Sequence, residues 1–162
     1  MDIQLIANFS LSELFFTLSV VLLLIASVLD TKDQEVDWRI LLGGVLSAVV
    51  YVLIIKNNYL SVLYGLFSAI IVPLVIIIAS KERWMGLGDL LFAAMVGLLC
   101  GFPLSVVAVF SAFLAGSIFG IIYLCFNPRA KELAFGPFLT LGFLIAWVFG
   151  RTMIDFLSNI IA

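Results

Sequence analysis

Residues 60–79 read LSVLYGLFSAIIVPLVIIIA, a run of 20 residues without a charged side chain. An α-helix needs about 20 predominantly apolar residues to cross a bilayer. Two further apolar runs precede it and three follow it, and the fourth of the six runs is the shortest. The sequence therefore predicts an all-α membrane protein, a polytopic bundle of about six transmembrane helices, with spans near residues 11–30, 40–56, 60–79, 88–101, 103–126 and 134–157.

The composition agrees with a chain that is surrounded by lipid. Of 162 residues, 65% are hydrophobic and 11% are charged, whereas a soluble domain is about half apolar and about a quarter charged. We expect a single transmembrane domain over 1–162, with no soluble domain. The absence of histidine excludes Ser-His-Asp triads and HExxH metal sites. The net charge of −2 gives no basic surplus for binding nucleic acid.

The basic residues predict the orientation, because cytoplasmic loops carry an excess of Lys and Arg. The first, third and fifth connections share one side of a six-span bundle, and the second and fourth share the other. We therefore expect both termini to face outward. The first basic residue is Lys32, so we expect no signal peptide and a retained first helix. The cytoplasmic side would hold Lys32, Arg39, Lys81, Arg83, Arg129 and Lys131, against Lys56 and Arg151 opposite.

Two acidic residues stand out by their positions. Asp30 ends the first apolar run and Asp89 begins the fourth, so the predicted orientation places both at the cytoplasmic edge of the membrane. Two carboxyl groups that meet there can share one proton: the ionised group activates a water molecule, and the protonated group polarises a peptide carbonyl. This chemistry needs no metal or cofactor. The alternatives are that Asp89 is an N-cap and that Asp30 is a solvated loop residue.

Two glycine-containing motifs complete the candidate site. Gly86-Leu87-Gly88 precedes Asp89, and its two glycines would let an extended substrate approach closely, or would form only a flexible turn. Phe135-Gly136-Pro137-Phe138 precedes the last apolar run. Irregular backbone at membrane depth is tolerated where protein buries it or where it lines a watery cavity. We expect this motif to line the same cavity as the two acids, or else to be a simple helix start.

Taken together, these motifs resemble those of the type IV prepilin peptidases, including the archaeal preflagellin peptidases, which are GxGD-type intramembrane aspartyl proteases. Residues 86–101 look like the GxGD segment and its Ala/Gly-rich helix, residues 25–36 look like the segment of the first Asp, and residues 135–142 are similar to the FGPF-containing stretch. The resemblance implies that Asp30 and Asp89 are the catalytic pair. It also implies that substrate-binding or active-site loops contain Gly86, Gly88, Phe135, Gly136, Pro137 and Phe138.

The resemblance implies a membrane-embedded aspartyl endopeptidase of the prokaryotic cytoplasmic membrane. Such an enzyme removes the short cytoplasmic leader from a prepilin-like precursor, which is a pilin, pseudopilin or archaellin with a basic leader and a hydrophobic helix. No metal or cofactor is implied. The expected partners are this substrate and membrane lipid, with room for an oligomer and with no nucleic acid.

The chain also departs from the family pattern. Val36-Asp37-Trp38 stands where bacterial members usually have Ile-Pro-Asn, and Leu91 stands where a Lys is frequent. Many bacterial members also methylate the new N-terminus and carry an N-terminal extension with paired cysteines. This sequence shows no counterpart of that extension. We therefore expect cleavage without methylation.

Two other functions remain open at the level of the sequence. A small transporter would use Asp30 and Asp89 as an ion or proton relay, since acids within membrane segments often do so. Both acids lie at one face, however, with no acidic step across the rest of the bilayer. A non-catalytic membrane scaffold of the same fold would tolerate Asn at both positions.

Overall fold

The structure of the protein, a computed structural model, describes residues 3–33, 36–55, 58–83, 85–126 and 134–161. Within these ranges the chain forms six α-helices and no β-strand. In chain order the helices are α1 Ile3–Asp33, α2 Trp38–Ile55, α3 Tyr59–Ser80, α4 Leu87–Cys100, α5 Leu104–Phe126 and α6 Gly136–Ile161.

The helices confirm the predicted polytopic bundle. Five of them are long and apolar enough to cross a membrane. The fourth, α4, has 14 residues and is about 21 Å long, which is shorter than the hydrocarbon core of about 30 Å. The predicted first span, 11–30, agrees with the apolar part of α1, Leu11–Lys32. The helix itself extends from Ile3 to Asp33, because the end of an apolar run does not by itself end a helix.

Local chemistry explains where several helices begin and end. Asp37 precedes α2, and its Oδ1 accepts a hydrogen bond of 3.0 Å from the backbone N–H of Arg39, as an N-terminal cap does. Lys81 follows α3 in the left-handed conformation that commonly ends a helix. Pro137 is the second residue of α6, where its missing N–H leaves no helical hydrogen bond unmade.

Helix α4 lies at the centre of the bundle and contacts each of the other five helices. Its side chains from Phe92 to Leu98 are buried. Phe92 and Met95 belong to a core cluster that also includes Leu23 of α1, Leu41 of α2 and Phe143 of α6. The middle of α4 is therefore surrounded by the other helices, whereas its first residue, Leu87, is exposed.

Small residues bring α3 and α4 into close contact. A Cβ added at Gly97 would lie 2.8 Å from the carbonyl oxygen of Gly65 and 3.0 Å from the Cβ of Ala69. Beyond the end of α4, the Phe102 N–H donates to the Ser61 carbonyl oxygen at 2.9 Å. Gly97 and Gly101, four residues apart, thus let the two helices approach closely, as small residues at this spacing commonly do in membrane proteins.

Because of the register of this contact, α4 begins deeper in the bundle than the level at which α3 ends. The helices run antiparallel with Gly65 opposite Gly97, so Leu87 lies roughly level with Val75, about 8 Å before the end of α3. After Ser80 the chain turns back into the bundle, and Met85 is buried. We call the end of the bundle that holds the connections after α1, α3 and α5 the site end. Asp89 lies at the site end, below its rim.

Candidate active site

Asp30 lies in the last turn of α1 and is half-buried. Its Oδ2 accepts a hydrogen bond of 2.9 Å from the backbone N–H of Gly136, a residue 106 positions further along the chain. The alternative that Asp30 is a solvated loop residue is therefore wrong. The carboxylate is held at the N-terminus of α6, which is a position that favours a negative charge.

Asp89 is the third residue of α4 and is partly buried. Its Oδ2 accepts a hydrogen bond of 3.1 Å from the backbone N–H of Gly86, and the Asp89 N–H donates to the Gly86 carbonyl oxygen at 3.2 Å. The alternative that Asp89 is the N-cap is wrong, because Gly86 occupies that position. The side chain reaches back to the cap in the manner of a capping box.

The structure brings Asp30 and Asp89 to the same end of the bundle from two different helices. Each carboxyl group accepts one backbone N–H at the N-terminus of a helix, Asp30 at α6 and Asp89 at α4. Phe92 follows Asp89 by one helical turn and touches Gly136, which in turn holds Asp30.

Gly136 fits between Asp30 and Phe92 without room for a side chain. A Cβ added at this glycine would lie 2.6 Å from Asp30 Oδ2 and 2.7 Å from two ring carbons of Phe92. The Gly136 carbonyl oxygen also accepts a hydrogen bond of 3.0 Å from the buried Thr140 hydroxyl. The first turn of α6 is thus packed directly against one candidate acid and against the helix of the other.

The two phenylalanines of the 135–138 motif contact α5. The Phe135 ring lies 4.8 Å from the Phe113 ring, and the Phe138 ring lies 5.6 Å from the Phe119 ring, measured between centroids. A Cβ added at Gly116 would meet the Phe135 ring at 2.9 Å. These rings anchor the start of α6 on α5, and the backbone of Gly136 is hydrogen-bonded to Asp30.

The glycines before Asp89 have open surroundings. A Cβ added at Gly86 would come no closer than 3.9 Å to the Gly88 backbone nitrogen, and one added at Gly88 would come no closer than 3.9 Å to Leu41 Cδ1. Neither glycine has the positive φ that excludes other residues. Packing against the residues that the structure describes therefore does not require glycine at either position, which is the reverse of the situation at Gly136.

Sequence reasoning missed Phe92, whose ring is 1% exposed and forms the wall beside Gly136. It looks like any other apolar residue of a buried helix. The one signal that could have found it is its spacing, because residues i and i+3 lie on neighbouring positions of a helix surface. Phe92 stands in this relation to Asp89.

The site end can perform proton transfer with side chains that the chain itself supplies. The two carboxyl groups come from separate helices, and each has one oxygen bound to a backbone N–H. Within the described ranges, no three His, Cys, Asp or Glu side chains are grouped where they would hold a metal ion. The chemistry that these residues support is general acid and base catalysis.

Comparison with known proteins assigns the chain to a family. The sequence model of the type IV leader peptidase family matches residues 17–121, which is more than half of the chain. The match includes Asp30, Asp89, Gly86 and Gly88 and ends before Phe135. No curated protein and no solved structure matches the chain. The chain belongs to the type IV leader peptidase family and is thus a peptidase, a hydrolase, with several membrane-spanning helices.

Proposed function

We propose that this protein is an aspartyl endopeptidase in which Asp30 and Asp89 cleave the leader from prepilin-like precursors. The observation that carries the proposal is the placement of the two carboxyl groups. They come from α1 and α4, are connected through the contact between Gly136 and Phe92 at one end of the bundle, and each accept a backbone N–H. Their use as a catalytic pair also agrees with the family to which the chain belongs.

The proposed reaction is the addition of water to a peptide carbonyl. The ionised carboxylate of the pair takes a proton from a water molecule, and the oxygen of that water forms a bond to the carbonyl carbon. The protonated carboxyl group donates its hydrogen bond to the carbonyl oxygen as charge develops there. The C–N bond then breaks, and the nitrogen leaves with a proton returned from the pair.

The location of the site suits a substrate with a basic leader and a hydrophobic helix. A prepilin-like precursor places its helix in lipid and its leader in the cytoplasm, so that the cleaved bond lies at the membrane edge. The basic residues of the connections at the site end favour a cytoplasmic position, and we place the protein in a prokaryotic cytoplasmic membrane. Gly86 and Gly88 would border the bound precursor, and the 135–138 motif would hold Asp30 beside it. The activity needs no metal, cofactor or nucleic acid, and it is compatible with an oligomer.

The direct test is cleavage of a defined precursor by the purified protein in liposomes. The probe is a prepilin-type peptide with a Lys/Arg-containing leader, followed by a hydrophobic helix, and mass spectrometry locates the cut. We expect a single cut at the junction between leader and helix. A matched probe in which Gln replaces the basic residues should be cut more slowly. A wild-type protein that folds but cuts neither probe would contradict the proposal and favour a scaffold, and pH-dependent ion flux in the same liposomes would favour a relay.

The open space around Gly88 leads to a prediction about substrate access. Gly88→Ala should leave the stability unchanged or raise it by up to about 1 kcal/mol, because alanine is favoured over glycine within a helix. If an extended substrate passes over this glycine, the new methyl group obstructs it and kcat/KM falls by about tenfold or more, which is about 1.4 kcal/mol. Steady-state cleavage and a denaturant titration measure the two effects.

Gly43→Ala is the matched control for this variant. A Cβ at Gly43 would also come no closer than 3.9 Å to a leucine methyl group, that of Leu22, but Gly43 lies in α2 away from the two acids. We expect wild-type cleavage from Gly43→Ala. Equal cleavage by the two variants would show that Gly88 does not border the substrate.

A further inference from the structure

We infer that Gly136 is a positioning residue for Asp30, acting through its backbone N–H and through its lack of a side chain. This inference rests on the proposed function, and it assigns to Gly136 a role distinct from contact with substrate. The observations behind it are the hydrogen bond from Gly136 to Asp30 and the close packing of Gly136 against Asp30 and Phe92.

The hydrogen bond fixes one oxygen of the Asp30 carboxyl group. The Gly136 N–H donates to Oδ2 at 2.9 Å, so Oδ1 is the oxygen that this contact leaves for water or for a shared proton. Gly136 is the first residue of α6, and the first N–H groups of a helix have no partner within it. The Asp30 side chain thus caps α6 from another helix, and the same bond holds the carboxyl group in one orientation.

Packing around Gly136 makes this orientation rigid. The Phe92 ring lies against Gly136 on the side of α4 and is itself buried. The Thr140 hydroxyl binds the Gly136 carbonyl oxygen from the next turn, and the Phe135 ring is anchored on Phe113. The backbone of Gly136 is therefore confined on these sides. A side chain added there must displace the Asp30 carboxyl group or the Phe92 ring.

Gly136→Ala tests the inference through kinetics. The methyl group would fall 2.6 Å from Asp30 Oδ2, and a displacement of about 1 Å at a catalytic group costs about 10²-fold in rate. We expect kcat to fall by about this factor while KM for the prepilin-type probe stays unchanged, because Asp30 acts in the chemical step. A role in substrate binding would raise KM instead.

Gly150→Ala is the matched control, since it adds a methyl group to the same helix against the end of the flexible Leu104 side chain, about 21 Å along α6 from Gly136. Both variants are compared per folded molecule. We expect Gly150→Ala to retain the wild-type kcat per folded molecule even if its stability falls. An equal loss of kcat in the two variants would show that Gly136 has only a structural role and would overturn the inference.

A second measurement separates the inference from the proposed function and does not depend on Gly136→Ala folding. The amide resonance of Gly136 in glycine-labelled protein should lie downfield in the wild type, as expected for an N–H bound to a carboxylate, and should move upfield in Asp30→Asn. An amide that does not respond to Asp30→Asn would overturn the inference even if the enzyme cuts. A responding amide in a protein that cuts no probe would leave the positioning contact intact and refute the proposed function.

Discussion

Asp30→Asn and Asp89→Asn should each reduce cleavage of the prepilin-type probe by about 10³-fold or more, since each removes one member of an acid and base pair. Asparagine keeps the size of the side chain and still accepts a hydrogen bond through its carbonyl oxygen, so the contacts to Gly136 and Gly86 can persist. The loss should therefore appear in kcat with little change in folding. Initial rates and a thermal unfolding curve on the same samples give both quantities.

Asp155→Asn is the control for these two variants. Asp155 lies near the far end of α6 and is exposed, so the same change of charge should leave cleavage at the wild-type rate. If cutting survives in either Asp30→Asn or Asp89→Asn, that residue has no part in the chemistry.

Gly65→Ala should give the largest loss of stability among single methyl additions in α3. Its Cβ would lie 2.6 Å from backbone atoms of Gly101 and 2.8 Å from the Gly97 carbonyl oxygen. Backbone cannot rotate away as a side chain can, so α3 and α4 must separate, at a cost of about 1–3 kcal/mol. Because α4 carries Asp89, the separation should also lower kcat.

Gly43→Ala, which has room for its methyl group, is the matched control for Gly65→Ala. It should be as stable as the wild type or more stable, by up to about 1 kcal/mol. Reversible unfolding in a denaturing detergent compares the two. Equal stability of Gly65→Ala and Gly43→Ala would mean that α3 and α4 are not held in this contact.

The fold was predictable because hydropathy acts over whole helices. A run such as 60–79, without a charge, has few structures available other than a membrane-spanning helix. The ends of helices were less predictable. Helix α1 extends to Asp33 and α4 starts at Leu87. Adding or removing these few residues hardly changes the mean hydropathy of a whole segment, so hydropathy does not locate the helix ends.

The sequence predicted that Asp30 and Asp89 lie at the same end of the bundle, but it did not distinguish the roles of the glycines in the candidate site. The family resemblance gave Gly86, Gly88 and Gly136 the same role, as residues of substrate-binding or active-site loops. The structure separates them, because Gly136 is packed against Asp30 and Phe92 whereas Gly86 and Gly88 have open surroundings. That difference depends on a contact between residues 106 positions apart, which no local pattern in one sequence encodes.

The measurement that tests the central claim most directly is single-turnover cleavage by Asp30→Asn, Asp89→Asn and the double variant, in one preparation with one probe. If the two carboxyl groups act as one unit, removal of either disables the pair, and the double variant is no slower than the slower single variant. Cutting near the wild-type rate by either single variant would contradict the account, as would a double variant whose loss is the product of two independent losses.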